Sequence, residues 1–223
     1  MRLRTPATIA AVVTLAFGAA ACGDDEESSS GSASQSQSQA QPDPVAQIDQ
    51  LTGRTTAVTL DAGFVEALTS LKLTPAPVGD AKITKAGVAS FPISGGNVTY
   101  YEPGSVSPFV QGSIDHTGGL SLTGGGKIVE LTDFVIDPGA SVLTGTVSVD
   151  GEVAAEDAPL FFLDGSTLNP LAVNEGNGTA VLEGTTVELK AEAAELLNQT
   201  FGVTALEEGL KIGVAKITVN TAA

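Results

Sequence analysis

The residues able to do chemistry are few and scattered. Cys22 is the one cysteine of the 223-residue chain, His116 the one histidine, and Tyr100 and Tyr101 the two tyrosines. A single thiol closes no intramolecular disulfide and completes no cysteine metal site, which removes the two commonest structural uses of cysteine. A hydrolase triad needs a base beside its nucleophile, but the chain offers one histidine and no G-x-S-x-G stretch. The glycine-rich run Thr123-Gly124-Gly125-Gly126-Lys127-Ile128 lacks P-loop spacing and the Ser/Thr that should follow its Lys, so it reads as a hairpin tip. The acids Asp24 to Glu27 and the pair Glu207-Glu208 show no metal-ligand spacing. No catalytic constellation emerges, and the expectation is a protein that is not an enzyme, with no metal site and no cofactor.

Cys22 draws its meaning from its flanks. Arg2 and Arg4 precede an apolar run from about Ile9 to Phe17, followed by the small residues Gly18 to Ala21. Basic, then apolar, then small is the order of a secretory signal, and the apolar run is short for a membrane span. A cysteine directly after the small residues resembles the lipobox of bacterial lipoproteins, although Ala19 stands where most lipoboxes have Leu. The resemblance implies cleavage before Cys22 and attachment of lipid, palmitate among its acyl chains, to the Cys22 sulfur. Each buried methylene contributes about 0.8 kcal/mol, so several chains hold a protein on a membrane where one does not. The competing reading is an ordinary secreted protein with a free, reactive thiol.

Residues 1–21 are thus read as a lipoprotein signal peptide and 22–44 as a disordered acidic and Ser/Gln-rich tether. The tether has no apolar periodicity and no aromatic residue to offset its conformational entropy. An ideal coil of that length reaches on the order of 25 Å. Removing the signal takes Arg2 and Arg4 and no acid, leaving 8 basic against 26 acidic residues and a net charge of −18. That sign argues against nucleic acid and against electrostatic binding to anionic lipid, so the expected membrane contact runs through lipid on Cys22. The location implied is extracytoplasmic, anchored to the cell membrane.

Residues 45–223 suffice for one domain, and a chain without Trp and rich in Gly, Thr and Val suits β structure. Leu143, Gly145, Val147 and Val149 alternate with Thr144, Thr146 and Ser148, the period of a half-buried strand closed by Asp150-Gly151. Similar runs lie at 98–101, 109–114, 120–122, 128–136, 160–163, 179–182 and 212–219. Between them stand the turn formers Gly95-Gly96-Asn97, Asp137-Pro138-Gly139, Asp164-Gly165 and Asn177-Gly178. The fold expected is mainly β, an antiparallel β-sandwich or barrel-like domain with two short helices. Those helices follow from Phe64, Leu68 and Leu71 and from Ala194, Leu197 and Phe201, each set on one helical face. Val129 and Leu131 have one parity and Phe134 and Ile136 the other, which predicts a bulge or a change of sheet near Thr132-Asp133.

The helices sit in an internal repeat. VTLDAGFVEALTSLKLT (58–74) matches VELKAEAAELLNQTFGVT (187–204) with one insertion, and VGDAKIT (78–84) matches IGVAKIT (212–218). The reading is a pair of related N- and C-terminal strand-helix-strand units flanking a β-rich centre.

GSIDHTGGLSL, VELTDFVID and VLTGTVSVDG (112–122, 129–137 and 142–151) resemble the central strand pattern of the HtaA domain. That family comprises secreted or surface-anchored β-rich modules of actinobacteria, several of which bind haem through a tyrosine assisted by a histidine. The resemblance implies haem as an alternative ligand, with Tyr100, Tyr101 and His116 as the residues able to serve it. The family's Trp-Gly and Arg-x-Tyr pattern is missing here, and its histidine lies between glycines, whereas His116 precedes Gly118-Gly119 by two residues. The plainer reading makes His116 a surface residue entering a turn beside Asp115 and makes one of the adjacent tyrosines core and the other surface.

Three functions compete. The first is a non-enzymatic cell-envelope lipoprotein acting as a binding or structural module, with a surface ligand or protein partner that the sequence does not name. The alternative is a haem-binding uptake protein of the HtaA type. An enzyme acting on envelope polymers has least support, because no motif places an acid/base pair.

Overall fold

The computed structural model describes residues 42–221; the expected signal peptide, Cys22 and nearly all of the expected tether lie outside them. The described residues form thirteen strands and two α-helices. In chain order the strands are β1 (Ala46–Ile48), β2 (Arg54–Leu60), β3 (Thr74–Val78), β4 (Lys82–Ile83), β5 (Val88–Tyr100), β6 (Val110–His116), β7 (Gly119–Gly124), β8 (Lys127–Asp137), β9 (Val142–Val149), β10 (Glu152–Asp164), β11 (Ala172–Asn174), β12 (Thr179–Leu189) and β13 (Lys211–Asn220). Helix α1 spans Ala62–Ser70 and α2 spans Ala191–Phe201.

Antiparallel pairing runs β5-β2-β13-β12-β10-β9-β8-β6 and back to β5, so eight strands close a barrel. Closure leaves these strands no free edge. The remaining strands lie outside the ring: β1 and β4 on β5, β11 on β12, and β7 with β3 on β8. The expected mainly antiparallel β fold is present, and of the two arrangements left open by the sequence it is the barrel.

Two local features decide the closure. Thr132 of β8 faces Thr146 of β9 and Val135 faces Thr144, so Asp133 and Phe134 together oppose Gly145. Asp133 has φ 52°, and Val129, Leu131, Phe134 and Ile136 are all buried. The predicted bulge is therefore real, and at it β8 passes from pairing β7 to pairing β6.

The second feature corrects an expectation. Gly95-Gly96-Asn97 is no turn, for it lies within the continuous strand β5, whose pairing with β6 is irregular between Ile93 and Gly95. Gly96 has φ 103°, and a Cβ there would stand 2.0 Å from the Ser113 carbonyl oxygen. Gly112, with φ 118°, meets Asn97 equally closely from the other strand. Glycine here permits the approach of two strands instead of a reversal.

Both helices follow strands that finish at the same end of the barrel. Asp61 caps α1 by accepting from the Gly63 N–H at 2.9 Å, and Phe64 and Leu68 are buried. Ala193, Ala194 and Leu197 of α2 are buried, and α2 packs on β8 and β10. In the repeat, the first two pieces of each copy are strand and helix. The third pieces differ: VGDAKIT covers the end of β3, a turn and β4, whereas IGVAKIT lies wholly within β13. No helix among the described residues is long and apolar enough to cross a membrane.

Candidate functional site

The barrel has two unlike ends. At the helix-capped end, His116 closes β6 with its ring inside the barrel and only 6% exposed. Its Nδ1 lies 3.1 Å from the Phe134 carbonyl oxygen and its Nε2 lies 2.7 Å from Thr56 Oγ1. A carbonyl only accepts, so Nδ1 carries the proton and neutral Nε2 accepts from the Thr56 hydroxyl. Burial holds the ring below the usual histidine range, opposed by the Phe134 carbonyl and by Asp115. Around it Phe91 and Phe134 pack edge to face, centroids 5.2 Å apart, and the space left between these walls is about 50 Å³. His116 is thus a buried, satisfied residue and not the surface histidine that the sequence suggested. The Thr56 partner, sixty residues away in sequence, has no signal in the chain.

At the other end β5, β8, β10 and β13 finish and β6, β9 and β12 begin. Loops 101–109, 138–141 and 165–171 form the rim there, and the space between the walls is about 310 Å³. That places it at the lower end of the range for small-molecule sites. The wall is aliphatic, with Val98, Ile114, Ile136, Leu163, Ile217 and Val219 prominent, and no charged side chain lines it. Its few polar groups are Ser107, Ser141, Thr185 and the Tyr100 phenol. Ile136, Leu163 and Ala215 separate this cavity from the small space around His116, because they line both.

Tyr100 and Tyr101 are both buried, 6% and 8% exposed, so the expectation of one core and one surface tyrosine fails. Loop 101–109 covers them: Tyr101 N–H donates to the Phe109 carbonyl, and Tyr100 packs edge-on to the Phe109 ring at 5.8 Å. Of the two, Tyr100 lines the cavity. It does not share a site with His116. Tyr100 pairs with Val110 and Ile93 with His116 along β5 and β6, and six residues of strand separate the two positions by roughly 20 Å. A site that uses both residues on one iron is excluded by this ladder. Tyr100 by itself can offer a phenolate to iron, a known axial ligand type.

Other candidates resolve simply. The glycine-rich run is the β7–β8 hairpin tip, with Gly125 and Gly126 at positive φ, and Glu207-Glu208 lie in the loop before β13. Beneath α2 a further depression of about 340 Å³ is rimmed by Glu156, Asp157 and Glu192. Among the described residues no group of three or more His, Cys, Asp or Glu could hold a metal ion.

No protein-family model matches the chain, and no curated protein is similar to it in sequence. Solved structures are. The C-terminal domain of HtaA from Corynebacterium glutamicum superposes with a TM-score of 0.51 at 14% identity, covering 77% of this chain and 98% of that one. The heme binding protein HtaB from the same organism gives a TM-score of 0.51 at 11% identity, over 78% of this chain and 96% of that one.

Proposed function

We infer the function from the fold, which the described domain shares with HtaA and HtaB domains as the central strand pattern implied. We propose that the chain is a non-enzymatic binding module of this type that takes haem at the open end of its barrel, held outside the cytoplasmic membrane by lipid on Cys22. The observation carrying the haem reading is Tyr100, a buried phenol in the wall of a cavity that no charged side chain lines. Tyr100 would hold the iron through its phenolate and the aliphatic wall would take an apolar part of the porphyrin, while that wall offers no cation to its carboxylates. The naming of HtaB as a heme binding protein supports the choice of probe.

The test is an absorption titration with haemin of the chain from residue 22, carrying Cys22→Ser. A saturable Soret shift is expected, lost in Tyr100→Phe and kept in Tyr101→Phe and His116→Gln. A shift that survives Tyr100→Phe, or no shift beyond that of free haemin, would overturn the reading. For the anchor, labelling of cells with an alkyne palmitate analogue should mark the native protein and not Cys22→Ser.

A further inference from the structure

The open cavity suits a second class of ligand, on grounds that do not need haem. We infer that it takes the acyl chain of a single-chain lipid, whose headgroup remains outside the mouth.

Three observations carry this. First, the walls are aliphatic side chains from six strands of the barrel and from β1, with no charge among them. A methylene chain loses only water there, whereas a buried headgroup would find no charged partner. Second, the volume of about 310 Å³ corresponds to roughly ten waters at about 30 Å³ each. A flexible chain fills such a space completely, whereas a rigid macrocycle enters by an edge. Third, the chain joins the barrel at this end. Ala46 and Ile48 of β1 form part of the wall, so β1 enters the barrel at the mouth and not at the helix-capped end. On the anchor proposed above, a lipid on Cys22 precedes this point of entry in the chain. The net charge of −18 for the chain from residue 22 disfavours an anionic headgroup and favours a zwitterionic one.

The experiment titrates the Cys22→Ser chain from residue 22 with single-chain phosphocholines from octyl to hexadecyl, each below its micellisation concentration, by native mass spectrometry and calorimetry. One lipid per chain is expected, with affinity rising about fourfold per methylene until the cavity is full and level thereafter. Ala180→Phe, which fills the interior, should weaken binding about sixteenfold, the equivalent of two methylenes. Ala46→Trp at the mouth should do the same without entering the core, so a folding defect in the first variant does not decide the matter. Affinity independent of chain length, or binding that both variants leave unchanged, overturns the inference. Haemin takes no part in this readout: a flat haemin titration beside a chain-length series that rises and levels refutes only the haem reading, and the converse refutes only this one.

Discussion

The two ends of this barrel are made of the same strands and differ in what closes them. At one end β2 and β12 run on into α1 and α2, whose buried faces supply Phe64, Leu68, Ala194 and Leu197. Around His116 the interior is packed to a residual space of about 50 Å³, set apart from the acid-rimmed depression beneath α2, and both ring nitrogens of the histidine are partnered. At the other end three loops stand where helices would, and about 310 Å³ is left between aliphatic walls. A closed sheet fixes the radius, but the connections decide whether the inside becomes core or cavity. Packed core and open cavity are therefore divided between the ends.

The sharpest test of that division deletes one large apolar side chain from each. Phe134 is 3% exposed and packs on Phe91, so Phe134→Ala should cost about 4 kcal/mol through lost transfer energy plus a new void. Leu182 is half-buried and already borders the open cavity. Leu182→Ala should cost only about 1 kcal/mol, because most of the void is there beforehand. Urea denaturation measures both, and equal costs would show that the open end is as tightly packed as the capped one.

These particular residues also mark how far the sequence could be read. Alternation placed β9, and the parity switch between Leu131 and Phe134 located the bulge, because burial on one face leaves a period that a ladder must honour. The amphipathic spacing found both helices. Gly95-Gly96 misled because glycine serves close strand approach as readily as reversal, and only the partner strand tells which. The proline-rich edge strand β3 carries no strand period at all. His116 was placed on the surface because its company is non-local: Thr56 and Phe134 come from other strands. The cavity is an absence framed by six strands, and no local pattern encodes an absence. Tyr100 was legible as a candidate ligand, but its separation from His116 was not, since that depends on the β5–β6 register.

A subtler way to separate the ends is by pH. Burial holds His116 below its usual range, so between its folded value and about 6.5 the unfolded chain binds a proton that the folded chain does not. More protons on the unfolded side means that stability rises with pH across that window and is lost on acidification, by at most about 1.4 kcal/mol per pH unit. The loss stops growing below the folded value. Denaturation at pH 7 and pH 5.5 should show it in the parent and not in His116→Gln, whose amide can still donate to the Phe134 carbonyl. No histidine or carboxylate lines the open cavity, so affinity for an acyl chain there should follow pH only as closely as overall stability does.

The smallest effect tests the hinge between the ends. Asp133 is exposed, sits at φ 52°, and accepts a hydrogen bond from the Thr132 hydroxyl at 3.0 Å. Its side chain adds nothing to either interior, so a substitution there reads the backbone alone. Asp tolerates the left-handed region better than a β-branched residue does, and glycine better still. Asp133→Val should therefore cost about 1 kcal/mol, while Asp133→Gly should lie within about 0.5 kcal/mol of the parent. If valine were tolerated without cost, the strand would be free to straighten. Phe134 and Ile136 would then lose the parity that turns them inward, and the change of partner from β7 to β6 would need another cause.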